Sequence, residues 1–451
     1  MTTNPTVEQR LALAAEKFSA GALPEAEQMV RSVLEELNNF PPALHLLGLV
    51  QYTSGRPAEA IETLQRARVF APRDVDMRHN LGIFLMEQGK AAEAEAEFRA
   101  VLALVPQAIE ARGNLAVLLE KRGEHTQATH ELEEILRHTP DDENALRLLT
   151  RTLRHSKQFE REIATSKLLL ARIAEQEQVK ESITRAYFLW YDSVDRDPDQ
   201  AKAVLSQWLE FDPEDATALH MMAAHGGAPV PARADGTYLE RYYDEFADTF
   251  EQVLTKLGYR APALIEEVVA REFAGRESAL CIGDLGCGTG LCGPRLKPWA
   301  QHLTGVDLSQ RMLDKAQATR LYDLLVRGDL ETFLAERPDT FDLLVAADTL
   351  IYFGDLYPTF SSISRALRKG GRFIGTVELQ PGEDTDAGFV LNRAGRYAHT
   401  LNYLKMVGVE AGLRVLSTEQ HELRQEYGKT VHALLLLCER TVPVRVSAEF
   451  G

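Results

Sequence analysis

The chain has no unbroken run of about 18 apolar residues, so nothing in it reads as a membrane span and no membrane partner is expected. Cysteine is scarce. Four in 451 residues make no disulfide framework, and three of them cluster at Cys281, Cys287 and Cys292, so reduced thiols and a cytoplasmic location are expected. Cys287 and Cys292 have no histidine at ligand spacing, and no metal site is expected. Met1 to Arg10 lacks a basic segment followed by an apolar run, so no secretory signal is expected. Long Lys/Arg runs are missing as well. Lys and Arg total 50 against 67 Asp and Glu, a formal net charge of -17, whereas a nucleic-acid binder needs a basic face to neutralise phosphates. No nucleic-acid partner is expected, and a cationic or neutral partner is easier to accommodate.

What is present is an ordinary globular composition, 45% hydrophobic and 26% charged, in a chain long enough for two or three domains. The first half repeats every 34 residues. Gly21, Gly55, Gly89 and Gly123 keep that step, as do Ala26, Ala60, Ala94 and Ala128, then Pro72, Pro106 and Pro140, then Gly48, Gly82 and Ala116. The period is that of the tetratricopeptide repeat, a helix–turn–helix unit. Small residues such as Gly48 and Ala60 fall where two helices approach closely, Gly55 or Gly89 ends the first helix of a pair, and Pro72 or Pro106 closes the second. One pair cannot bury its apolar face alone, so neighbours stack into a solenoid. A fifth unit is degraded, with Thr150, Lys157 and Glu162 at the diagnostic places. A repeat-like half returns from Ala201 and reads as the capping end. GGAPVPARADG, from residue 226, is the best linker. The expected division is a solenoid over 1–225, a linker over 226–237 and a second domain over 238–451. A concave solenoid surface suits a peptide or protein partner, or a second copy in a homodimer.

After the linker, short apolar runs alternate with helical stretches, as in a mostly parallel sheet covered by helices. ALCIGDL, HLTGVDLS, LLVRGDL, FDLLVAADTL, GGRFIGTVEL, LRVLST and VHALLLLCE predict seven strands. The first ends in Asp284-Leu285-Gly286-Cys287-Gly288-Thr289-Gly290. Alternate glycines let backbone pass close under a bulky ligand, and Asp284 lies at the strand end, where ligands collect. Asp307 ends the second strand, where a carboxylate can accept two hydrogen bonds from a ribose diol. A dinucleotide dehydrogenase would need its third glycine at position 291, which is Leu.

The ordered motifs DLGCGTG, GVDLS with Met312-Leu313, GDL and ADTLIYFGDL carry a resemblance. From about Tyr238 to Arg440 the chain resembles a class I S-adenosylmethionine-dependent methyltransferase, and with its repeats it is similar to the bacterial predicted methyltransferases bearing N-terminal tetratricopeptide repeats. The resemblance implies a multidomain architecture: an all-α tetratricopeptide-type solenoid followed by an α/β Rossmann-like methyltransferase domain with a mostly parallel seven-stranded sheet. It implies S-adenosyl-L-methionine as cofactor. Asp284 would bind the amino group of the methionine part, lined by Gly286, Gly288 and Gly290. Asp307 would hold the ribose hydroxyls, with Leu308 and Met312 against the adenine. Asp329 would accept from the adenine amino group beside Leu330, and Asp348 would face the departing methyl group. Each acid also has the plainer reading of a solvated loop residue or helix cap.

Two further segments bear on the acceptor. Tyr243 and Phe250 stand seven apart, so one helix face could present both; related methyltransferases fold an aromatic N-terminal segment over the cofactor, while a helix packed on the sheet is the plainer alternative. Gly395-Arg396-Tyr397-Ala398-His399 resembles a segment of the repeat-bearing group. There His399, with Tyr397, is the candidate to take a proton from a nucleophile, or else to brace a loop. Asp348-Thr349-Leu350-Ile351 lacks the Asn-Pro-Pro-Tyr pattern of methyltransferases acting on exocyclic amines. The sequence leaves the acceptor open among a small metabolite, a peptide and a protein. It leaves open, too, whether the chain is an active methyltransferase with repeats that recruit substrate, or a repeat scaffold with a cofactor-binding but non-catalytic module.

Overall fold

A computed structural model describes residues 6–174, 176–380, 387–426 and 428–441; Met1–Pro5, part of the segment read for a signal, lie outside them. The chain divides into two compact units, Met1–Val194 and Asp195–Gly451. No helix among the described residues is long and apolar enough to cross a membrane.

Among the described residues the first unit is built of helices and the turns between them. Pairs run Val7–Ser19 with Leu23–Glu36, Pro41–Thr53 with Pro57–Phe70, Val75–Glu87 with Ala91–Leu104, Ile109–Lys121 with His125–His138, and Glu143–His155 with Phe159–Leu170, followed by Gln176–Val194. Gly55, Gly89 and Gly123 take φ of +77°, +74° and +78° just past the first helix of their pairs. In the degraded fifth unit Lys157 is held at +57°, a conformation an L side chain resists. Close approach explains the other small class: a Cβ on Gly82 would come within 2.6 Å of the Phe98 ring, and one on Gly48 within 2.7 Å of Leu64. A polar ladder follows the same period. Asn80 bonds His45 and Asn114 bonds His79, at 2.9 and 3.1 Å, while Arg78 pairs with Glu97 and Arg112 with Glu131.

The second unit opens with helices Pro198–Phe211 and Ala216–Ala224, which the sequence reading assigned to the end of the solenoid. Nor is the stretch after them a free tether. The Ala232 carbonyl accepts the N–H groups of Gly354 and Asp355, both at 2.8 Å, and Ala234 N–H donates to the Tyr352 carbonyl at 2.8 Å.

The strands are β1 (Leu280–Leu285), β2 (Ala300–Asp307), β3 (Leu324–Arg327), β4 (Phe341–Ala346), β5 (Leu367–Leu379), β6 (Phe389–Leu391), β7 (Tyr397–His399), β8 (Leu413–Glu426) and β9 (Lys429–Arg440). β3, β2, β1, β4 and β5 run parallel in that order; β9 pairs antiparallel with β5, and β8 with β9. These are the seven expected strands. Among the described residues the sheet nevertheless has nine, because the segment before the last helix forms a hairpin, β6–β7. Its turn follows from Asn392, whose side chain accepts the N–H groups of Ala394 and Arg396, and from Gly395 at φ +73°. Glu378 pairs with Ala433 on one side and Ala398 on the other, so β7 takes the edge of β5 beyond the end of β4.

Two apolar layers cover the sheet. Helix Ala261–Glu272 packs Leu264, Ile265, Val268 and Val269 against Ile282, Leu343 and Ile374. On the other face Phe333, Phe360, Ile363 and Leu404 meet Leu285, Leu344 and Phe373. With both faces buried, β1 and β4 are nearly continuous apolar runs. The strand order reverses between β1 and β4, which opens a crevice at their carboxyl ends.

Candidate functional site

Asp284 sits in the last turn of β1, 1% exposed. Its Oδ2 accepts the Tyr322 hydroxyl at 2.7 Å, and its Oδ1 is buried with no partner among the described residues. Burial pushes this carboxyl up to about 7, against the lowering bond from Tyr322 and with a further push from Asp307. The chain then turns through Gly286, Gly288 and Gly290 at φ of +67°, +53° and +89°. The three have different surroundings. A Cβ on Gly286 would strike Thr349 at 2.4 Å and one on Gly290 would reach the Tyr322 ring at 3.0 Å, so these two make room for protein. A Cβ on Gly288 would meet the Phe250 ring at 3.8 Å, an ordinary van der Waals contact. Cys287 and Cys292 are buried and their thiols pushed up by burial, which fits packing. Among the described residues no group of three or more His, Cys, Asp or Glu side chains is placed to hold a metal.

Asp307 closes β2. Its Oδ2 accepts Gly288 N–H and its Oδ1 accepts Ser309 N–H, both at 2.9 Å, so the carboxylate ties the glycine turn to the next helix. Burial raises its pKa, and the bonds from Ser309 and Gly288 oppose that. Leu308 is half-buried beside it, and Met312, in helix Gln310–Ala318, is fully buried. Ser309 caps that helix and donates its hydroxyl to Asp244 at 2.5 Å. Asp329 is itself a cap: its Oδ1 accepts from Glu331 and Thr332, and its Oδ2 pairs with Arg233 at 3.1 Å. Leu330 is buried in the adjoining apolar layer.

Asp348 lies two residues past β4 at φ +57°, a left-handed backbone stabilised by its N–H donating to Thr376 Oγ1 at 2.8 Å. Its Oδ2 pairs with Arg424, which is 5% exposed, and its Oδ1 is buried without a partner among the described residues. Arg424 also donates to Glu378 at 2.5 Å and to Glu426 at 3.0 Å. Arg396 binds the same two glutamates, at 2.7 and 2.5 Å, and Asn392 donates to Glu378 at 3.0 Å. Burial pushes the Asp348 carboxyl up while Arg424 pulls it down.

The Tyr243 hydroxyl meets that of Tyr352 at 2.6 Å. Tyr243 and Phe250 are not on one helix as their spacing suggested. The chain breaks between Gly236–Phe246 and Phe250–Lys256, and the break turns the rings edge to face at 6.0 Å. Tyr397 and His399 correct the expectation of a proton acceptor. Both are fully buried in β7. Tyr397 donates to the Pro231 carbonyl at 2.8 Å, His399 Nε2 bonds the Gly354 carbonyl at 3.0 Å, and the imidazole stacks on Tyr403. Burial lowers the His399 pKa to about 4. Neither shares a contact with Asp284, Asp307 or Asp348 among the described residues; they brace the hairpin. Sequence reasoning missed Tyr322, Glu378 and Arg424, which belong to no motif. Arg396 lay inside a quoted segment without a role.

Residues 283–375 match the family model of a methyltransferase domain, and residues 45–109 and 85–152 match models of the tetratricopeptide repeat. Methyltransferase-like protein 27 of Homo sapiens is 35% identical over 130 residues, 28% of this chain and 51% of that protein. The 18S rRNA (guanine-N(7))-methyltransferase of Bos taurus is 28% identical over 128 residues, 26% of this chain and 45% of that protein. The chain thus spans about half the length of these relatives. Among solved structures, an S-adenosylmethionine-dependent methyltransferase from Mesorhizobium loti is 22% identical with a TM-score of 0.32, covering 39% of this chain and 97% of that one. MamA protein is 19% identical with a TM-score of 0.36, covering 38% and 94%.

Proposed function

We propose that this chain, which carries a methyltransferase domain behind tetratricopeptide repeats, transfers a methyl group from S-adenosylmethionine to an acceptor held at the carboxyl edge of its sheet. The observation that carries this reading is the Asp284 carboxylate, buried at the end of β1 with one oxygen lacking a donor. An unmet buried acceptor is unfavourable until a ligand donor arrives, and the cofactor's amino group is such a donor. Asp307 would accept from a ribose diol, beside a Gly288 whose added Cβ would meet the Phe250 ring alone. Leu308 would flank the adenine, with Met312 and Leu330 packed behind. Asp329 has a competing task as cap and ion-pair partner and would offer at most a remaining lone pair.

The cofactor supplies an electrophilic methyl group on a sulfonium. The chain's own part is placement: Asp284 would hold the methionine end and Asp307 the ribose, while Tyr243 and Phe250 screen the glycine turn from water. The buried, low-pKa His399 is left out of this scheme. The repeats are the surface that would recruit a protein or peptide, as substrate or as partner.

Calorimetric titration of the full chain with S-adenosylmethionine and S-adenosylhomocysteine tests the reading. Both should bind, and Asp307→Asn, which sets an amide N–H against a backbone N–H, should weaken binding more than about tenfold. Absence of heat and of any thermal shift at saturating ligand would overturn it.

A further inference from the structure

We propose that the acceptor is a basic aliphatic amine, received by the free Oδ1 of Asp348. The inference rests on the methyltransferase reading and adds the acceptor class to it.

Three observations point there. The first is an unmet acceptor: Asp348 Oδ1 is buried without a donor, while Oδ2 is fixed by Arg424. The second is charge. The groups tied together behind Asp348 are the carboxylates of Asp348, Glu378 and Glu426 and the guanidiniums of Arg396 and Arg424. Three anions against two cations leave one negative charge unbalanced in a buried setting, a charge a ligand cation would neutralise. A hydroxyl would satisfy the hydrogen bond but not the charge; a carboxylate would satisfy neither. The third is the neighbouring phenols. Burial keeps Tyr243 and Tyr259 protonated, the Asp348 charge adds to that, and Tyr352 bonds Tyr243, so no phenolate competes for a ligand cation.

The left-handed backbone at Asp348 fits this role. Arg424 and Thr376 hold Asp348 at φ +57°, a backbone that few L residues other than Asn and Asp adopt readily. The bound ammonium first gives one proton to Asp348 Oδ1; the freed nitrogen lone pair then bonds the methyl carbon as the carbon–sulfur bond breaks and that bond's electron pair leaves with sulfur as the thioether. The methylated nitrogen departs as an ammonium, and Asp348 returns its proton to solvent. The stretch Asp348-Thr349-Leu350-Ile351 is not the pattern used on weakly basic exocyclic amines, and a basic amine does not need it.

The test uses the full chain saturated with S-adenosylhomocysteine, which carries no sulfonium charge. 2-Phenylethylamine and phenylacetate are titrated as probes of opposite charge and like size. The amine should bind at least about tenfold more tightly than the acid. In Asp348→Asn the amine should weaken at least about tenfold, because the free acceptor oxygen becomes a donor amide and the charge is lost. Asparagine tolerates the left-handed backbone, so the melting temperature should stay within about 2 °C. Asp348→Gly, which relieves the backbone and removes the carboxylate, should also lose the amine. Equal or tighter binding of phenylacetate, no amine binding to a chain that binds S-adenosylhomocysteine, or amine affinity unchanged in both variants would each overturn the proposal. Failure of S-adenosylhomocysteine itself to bind would instead sink the methyltransferase reading.

Discussion

The Asp284 carboxyl makes cofactor binding depend on pH in a calculable way. Burial holds it at about 7 in the ligand-free fold. A ligand ammonium prefers the ionised form, so apparent affinity follows the ionised fraction. That fraction climbs from about a tenth at pH 6 to about three quarters at pH 7.5, while the ligand's α-amino group, with an ordinary pKa near 7.7, falls from fully to about three fifths protonated, so affinity should rise about fivefold, or about 1 kcal/mol. At pH 7 about a third of a proton should leave per ligand bound, measurable by calorimetry in buffers of different ionisation enthalpy. The same group acts on the ligand-free fold in the opposite sense. Its folded pKa lies above the unfolded value of 3.8, so its contribution to stability is fully present below about pH 4 and lost as pH rises through about 7, at most about 4 kcal/mol. Asp284→Asn should flatten both profiles. S-adenosylhomocysteine affinity constant within twofold from pH 6 to 7.5, or equal proton release by wild type and Asp284→Asn, would refute the assignment.

Tyr322→Phe removes the hydroxyl that donates to Asp284; calorimetry should show about tenfold weaker binding at pH 7 and a binding midpoint moved to higher pH. Lys157→Gly should stabilise the first unit by about 1 kcal/mol, and Gly89→Ala should destabilise it by about 1–2 kcal/mol, since both positions hold a left-handed backbone; urea denaturation measures each. His399→Phe should lower stability by about 1 kcal/mol by removing the shorter of two bonds to the Gly354 carbonyl, the other coming from Tyr403, yet leave S-adenosylhomocysteine affinity within twofold, which separates a brace from a site residue.

Most of this architecture can be read from spacing alone. The 34-residue step fixes the helix ends because glycine at the turn and small residues at the contact are steric demands, and Lys157 shows the demand outliving the glycine. The parallel strands are legible because burial on both faces leaves apolar runs such as FDLLVA. The β6–β7 hairpin is not, since its strands are three residues each and its turn rests on Asn392 rather than a glycine pair. Within the site, Asp284 and Asp307 end their strands as motif position implies. Tyr322, Glu378 and Arg424 act through partners distant in sequence, and no local pattern announces a pairing such as Arg424 with Asp348. Asp329 and His399 show the converse: a residue type that fits a chemical role can be consumed by a cap or a buried brace.

The placement of helix Ala216–Ala224 decides how this protein can be dissected. His220 on it bonds the Gly395 carbonyl at 2.9 Å and stacks on Tyr238, and Asp215 at its cap pairs with Arg241 at 2.9 Å. Gly395 is the turn residue next to Arg396, so this helix buttresses the hairpin that delivers a guanidinium to the charge network. An expression fragment beginning after the Gly/Pro-rich stretch would strip that buttress, leave Tyr238 and Gly395 bare, and report the instability of a cut surface rather than the independence of a catalytic core. A cut between Val194 and Asp195, where the two compact units divide, keeps this helix with the hairpin it buttresses.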